Sequence, residues 1–190
     1  KECTLALCEG LSAKTFAIKG IDCPLFGRSG RDWFGVYALR GKILNVIKAN
    51  PKSISENKII TDVIQALGLR FGVDYSNDEN FSQLNYGRLL ILTDADTDGY
   101  HIAGLIMVFF NHLFPSLLKR NPPFLYNMMT PIAKAISSGR EEVFYNLRTA
   151  DEFYKTCTGK IEIKYFKGLG SWTDEGIENV FGKRVVNYNY

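Results

Sequence analysis

The sequence predicts an α/β fold in which a parallel sheet carries helices on both faces. Short apolar, β-forming runs alternate with stretches of helical spacing along the chain. One such run, Arg88 to Thr93, ends abruptly in Asp94, Asp96 and Asp98, spaced by two and followed by Gly99. In sheets of this kind the functional crevice lies beyond the carboxyl ends of the strands, which is where that acidic cluster falls.

Thr4 to Cys8 reads as a short buried strand that stops at Glu9-Gly10. Ser12 is placed to cap a helix from about Ala13 to Lys19. A loop with Gly and Arg follows, from Gly20 to Arg31. Trp33 to Leu39 is rich in β-formers and leads into Arg40-Gly41-Lys42 and Ile43-Leu44-Asn45-Val46. Pro51 and Ser53 mark a break. Ile59, Ile60, Val63, Ile64 and Leu67 then repeat at helical spacing within residues 56–69.

Gly72 to Tyr86 is polar and irregular and is expected to be a surface loop. Leu89 to Thr93 is the expected central strand, with a long helix from about His101 that Pro115 kinks or ends. Phe124 to Tyr126 reads as another short strand. Ile132–Ile136 and Val143–Tyr145 flank Ser138-Gly139 and suggest a hairpin. Thr149 to Thr156 reads as a short helix, and Ile161 to Phe166 as a strand ending at Lys167-Gly168-Leu169-Gly170. Thr173 opens a final helix with Asp174 and Glu175 in its first turn and Gly182 beyond its end.

Composition bounds the class. The chain has 190 residues, 46% hydrophobic and 23% charged, as in an ordinary globular domain. It opens on Lys1-Glu2-Cys3 without Met or a basic-apolar leader, which points to a piece of a longer protein with no secretory signal. Gly99 to Leu118 lacks Asp, Glu, Lys and Arg, but it carries Asn111, His112 and Pro115, so a buried helix is expected and not a membrane span. His112 is expected to pack in that helix. Cys3, Cys8, Cys23 and Cys157 form no CxxC pair and read as reduced, mostly buried thiols. Net charge is only +3, yet Arg28, Arg31, Arg40, Lys42 and Lys48 stand against a single acid, Asp32, between residues 28 and 48.

The acids carry the chemistry. Carboxylates emerging together from a strand end repel one another unless a cation neutralises them. Oxygen-only ligands suit Mg²⁺, Mn²⁺ or Ca²⁺ better than zinc. If the strand ending at Glu9 neighbours the one ending at Asp94, two strand ends supply four carboxylates, enough for one or two ions. An EF-hand calcium loop shares the pattern D-x-D-x-D-G but needs an acid at its twelfth position, which here is Leu105. A haloacid-dehalogenase phosphatase places Thr or Val at the fifth position, which here is Asp98. A phosphohydrolase is the weaker alternative, and a non-catalytic domain whose metal organises an interface is a third.

With Glu9-Gly10-x-Ser12-Ala13 and Asp94-x-Asp96-x-Asp98-Gly99 both in place, the chain resembles a TOPRIM domain. Gly30-Arg31-Asp32, Leu39-Arg40-Gly41-Lys42, Asn45-Val46, Asp98-Gly99-x-His101-Ile102 and Tyr165-Phe166-Lys167-Gly168-Leu169-Gly170 narrow the resemblance to eukaryotic-type, type IIA DNA topoisomerase II. It implies a TOPRIM-like, Rossmann-like sheet over residues 1–190, with a hairpin excursion at 132–146 and with the ATPase and winged-helix domains outside the fragment. It implies that Glu9, Asp94 and Asp96 are catalytic and that Glu9, Asp94, Asp96 and Asp98 hold Mg²⁺, with Mn²⁺ or Ca²⁺ able to substitute in binding. Arg40, Lys42, His101 and Lys167 would meet double-stranded DNA.

The same resemblance implies a homodimeric, ATP-dependent parent that attacks DNA with a Tyr outside this chain. The fragment alone would then not cut or relax DNA. It implies a nuclear location, or a cytoplasmic replication site for a viral protein, and no membrane partner. Leu11 stands where the family usually has Asp, Ala38 stands where Pro is common, and the loop from Gly20 to Arg31 is longer than usual. These departures suggest a divergent member such as a viral one.

Overall fold

The structure, a computed structural model, describes residues 2–137, 140–157 and 161–189. Its main sheet has five strands in the order β2-β1-β3-β4-β8. These are β1 (Thr4–Cys8), β2 (Phe34–Ala38), β3 (Arg88–Leu92), β4 (Leu125–Met128) and β8 (Val185–Tyr188). The first four are mutually parallel, and β8 closes the edge antiparallel to β4. The continuous apolar reading of β1 and β3 follows from this. Every residue of β1 is buried, as are Leu89 to Leu92 of β3, because both faces of the sheet are covered.

On one face Leu5, Leu7, Leu89 and Ile91 pack against α3 (Lys58–Leu67) and α5 (Thr97–Leu113). On the other, Ala6, Cys8, Leu90 and Leu92 pack against Phe16 and Ala17 of α1 (Leu11–Gly20) and Ile177 and Val180 of α7 (Asp174–Val180). A second sheet, in the order β6-β5-β7, is antiparallel throughout: β5 (Ala133–Ser137), β6 (Arg140–Phe144) and β7 (Ile161–Tyr165). The expected hairpin is therefore present and gains β7 as a third strand. Its Ser138-Gly139 turn lies outside the described residues. Ala150 of α6 (Leu147–Thr156) covers one face of this sheet over Ala133, Ala135 and Phe144.

Several boundaries differ from the sequence reading. Gly10, not Ser12, occupies the cap position of α1, and no side chain caps that helix. The stretch 56–69 is broken because the Asn57 side chain accepts from the Ile60 amide and starts α3 afresh. Ahead of that break the Pro51 region is a helix, α2 (Pro51–Glu56), with Asn50 as its cap. The 72–86 stretch is not a plain surface loop. It contains α4 (Asp78–Ser82), and Tyr75 and Leu84 are buried within the core. Helix α5 starts at Thr97, ahead of His101, because Asp96 caps it, and Pro115 opens a 3-10 turn over Pro115–Lys119. His112 is exposed rather than packed. Only Cys8 of the four free cysteines is buried. Among the described residues no helix is long and apolar enough to cross a membrane.

Candidate metal centre

The parallel pairing of β1 with β3 ends at Cys8 opposite Leu92, so both strands deliver their acids at one end of the sheet. The ladder continues one bond further, with the Glu9 amide donating to the Leu92 carbonyl at 3.0 Å. The Glu9 carboxylate then accepts from the Asp94 amide at 2.8 Å, tying the two strand ends together.

Asp94 is held from a third direction. Its Oδ1 accepts from the Leu169 amide at 2.8 Å, a contact between residues 75 apart in sequence. Gly168 makes that approach possible. Its φ of +146° suits glycine, and a Cβ there would stand 2.8 Å from Asp94 Oδ2. Gly99 is just as confined, since a Cβ on it would lie 2.0 Å from the Asp94 carbonyl oxygen. Asp96 accepts from the Gly99 amide at 2.8 Å and so begins α5. Asp98, an exposed acid of the cluster, pairs with Lys42 at 2.7 Å.

The electrostatics separate these acids. Burial pushes the Glu9 carboxyl above its ordinary value. The Asp94 amide pulls it back, and the charges of Asp94, Asp96 and Asp98 push it up further. Asp98 behaves oppositely, because the Lys42 ammonium, hydrogen-bonded and close, holds its carboxyl below the usual carboxylate range, with a smaller contribution from His101. Negative charge is thus compensated at the rim by Lys42 and left uncompensated around Glu9.

The donor set is all oxygen, as a hard divalent cation prefers. Each of Glu9, Asp94 and Asp96 spends one carboxylate oxygen on a backbone amide. Among the described residues, no three His, Cys, Asp or Glu side chains gather closely enough to form a ligand set by themselves. The acids share one end of the sheet with their aim set by the backbone, and an ion would have to draw their remaining oxygens inward.

The basic residues divide. Lys42 reaches the cluster directly, and His101 lies within electrostatic reach of Asp98. Lys167 is exposed beside Gly168. Arg40 is turned elsewhere, lining a hollow with Tyr37, Lys58 and Asp62. The sequence reading missed two features, the Leu169 amide as the anchor of Asp94 and the engagement of Lys42 with Asp98. The Gly168-Leu169-Gly170 spacing was the available signal for the first, since it marks a backbone that must approach something closely.

Comparison with known proteins shows what the chain as a whole is similar to. A family model described as the Toprim domain matches residues 4–126. The chain is 41% identical to a DNA topoisomerase 2 of Invertebrate iridescent virus 6, over 100% of this chain and 18% of that protein. It is 42% identical to DNA topoisomerase 2-alpha of Homo sapiens, over 95% of this chain and 11% of that protein. The chain therefore spans less than a fifth of the curated relatives it matches. A solved structure of the Plasmodium falciparum topoisomerase II DNA-binding, cleavage and re-ligation domain superposes with a TM-score of 0.82. It is 36% identical and covers 95% of this chain and 24% of its own.

Proposed function

The chain belongs to the Toprim domain family, and from that premise we propose that it is the metal-holding domain of an ATP-dependent type II DNA topoisomerase. The observation that carries this reading is the bond from the Asp94 amide to Glu9, which couples two parallel strand ends into one acidic crevice. Glu9 and Asp94 would hold one Mg²⁺, Asp94 and Asp96 a second, and Asp98 would stand at the rim and assist through water. A bound ion would stabilise the negative charge that develops on the bridging oxygen as a DNA phosphodiester breaks.

The chain's own residues do the rest. Glu9, whose carboxyl is pushed up by burial and by its acidic neighbours, is suited to pass a proton to and from the 3′ oxygen during religation. The bonds from Leu169 and Gly99 hold one carboxylate oxygen each of Asp94 and Asp96 before any substrate arrives, and the ion would draw in the oxygens left over. Lys42, Lys167 and His101 would meet phosphates of double-stranded DNA near the crevice, and Arg40 would do so further out. The nucleophilic Tyr and the ATP site belong to other domains of a homodimeric parent in this reading. The parent would work in the nucleus or, for a virus, at a cytoplasmic replication site.

The test is made in that parent. Asp94→Ala should abolish Mg²⁺-dependent double-strand cleavage, read as linear DNA on a gel, while circular dichroism stays as in the wild type. Cleavage at the wild-type rate would overturn the assignment.

A further inference from the structure

A second concave site is lined in part by the Phe166–Trp172 loop. The β5-β6-β7 sheet buries one face under α6, and its other face looks across a groove of about 340 Å³ toward Trp172, Thr173 and the α7 residue Asn179. That volume falls within the range of small-molecule sites.

Strand register sorts the groove into two rows. Val143, Lys134 and Lys164 stand directly opposite one another across the three strands and line it as one row. The next row is aromatic. Tyr145 and Phe166 flank Ile132, whose amide donates to the Phe144 carbonyl at 2.8 Å and whose carbonyl accepts from the Phe166 amide at 2.9 Å. Two residues along a strand separate the rows by about 7 Å. Phe166 stacks on Trp172 with ring centroids 3.9 Å apart and planes 19° apart. The Arg184 guanidinium sits 4.7 Å from the centre of the Tyr145 ring.

The charges are unequal. Lys134 is paired with Glu141 at 2.6 Å, whereas Lys164 has no ion pair among the described residues. Aromatic rings, Tyr145 on one side of Ile132 and the stacked Phe166–Trp172 pair on the other, therefore stand one row from a lysine with no ion pair among the described residues. A lipid chain would want a continuous apolar lining, which the two lysines interrupt. An acidic peptide would use the lysines but leave the exposed faces of the rings without a partner. A nucleoside phosphate uses both, with a planar base against the rings and an anion at the lysine row.

We propose that this groove binds a nucleoside phosphate, the base against Phe166, Trp172 and Tyr145 and the phosphate on Lys164. The ligand would be either a free nucleotide or one unit of a nucleic-acid strand. The site is separate from the acidic crevice and stands or falls without it. The two share a loop, since the Leu169 amide that holds Asp94 lies between Phe166 and Trp172.

Trp33→Phe leaves Trp172 as the only indole, so its fluorescence can follow titrations with adenosine monophosphate, adenosine, inorganic phosphate and a short single-stranded DNA. Isothermal titration of the chain with Trp33 retained covers the case in which that change loosens the fold. We expect saturable binding of adenosine monophosphate or of the oligonucleotide, with adenosine and phosphate each much weaker. Lys164→Ala should weaken it by roughly tenfold or more, and Lys164→Arg should retain most of it. Binding of the mononucleotide identifies a free nucleotide as the source, and binding of the oligonucleotide alone identifies a strand. No saturable response to either, an unchanged affinity in Lys164→Ala, or phosphate alone binding as well as the nucleotide would overturn the proposal.

Discussion

Glu9 shows how one side chain can tie two strand ends together at a cost to stability. Its carboxylate stitches β1 to β3 by accepting the Asp94 amide, yet burial and three neighbouring aspartates raise its proton affinity. Stability carried by the protonated form is therefore full below the ordinary glutamate value of 4.5 and drains away as pH rises through the higher folded value. Glu9→Gln keeps an acceptor for the Asp94 amide and removes the charge. In the absence of divalent cations its melting temperature should exceed that of the wild type at pH 7, and the difference should shrink toward pH 4. A constant difference across that range would mean that ionised Glu9 carries no such penalty. Cys8 shows the same effect of burial on a thiol. Burial pushes its thiol up to about 12, so iodoacetamide at pH 8 should leave Cys8 unmodified in the folded chain and label it once denaturant is added.

At the scale of elements, the decisive contact joins a strand end to a loop far along the chain. Gly168→Ala would place a side chain at a φ of +146° and against Asp94 Oδ2. A cost of about 1–3 kcal/mol is expected in urea unfolding, together with weaker divalent-cation binding, because the loop would withdraw the Leu169 amide from Asp94. The sequence made the central elements legible because buried parallel strands are written as unbroken apolar runs, as in Leu5-Ala6-Leu7 and Leu89 to Leu92. It also exposed the acidic cluster, since three alternating aspartates after such a run have few other uses. It concealed β8, where Val185-Val186-Asn187-Tyr188 is short, half polar and paired on one side only. It concealed the break at Asn57 because apolar spacing runs straight through that residue and only the cap bond to Ile60 reveals it. The Lys42–Asp98 pair was hidden for a different reason, because both residues read as partners for something outside the chain and not for each other.

At the scale of the whole molecule, strand order turns dispersed motifs into a site. With β1 between β2 and β3, the Glu9, Asp94 and Lys42 segments leave the sheet at the same end. The antiparallel β5-β6-β7 sheet hangs off this frame and returns the chain at Leu169, so the excursion ends where Asp94 needs its anchor. We propose that these convergent acids hold a divalent cation, and calorimetric titration of Mg²⁺ into the chain at neutral pH tests this most directly. Saturable binding that disappears in Asp94→Ala, with the far-ultraviolet circular dichroism of the two proteins superimposable, is the predicted result. Equal Mg²⁺ binding by the wild type and Asp94→Ala, or none by either, would contradict it.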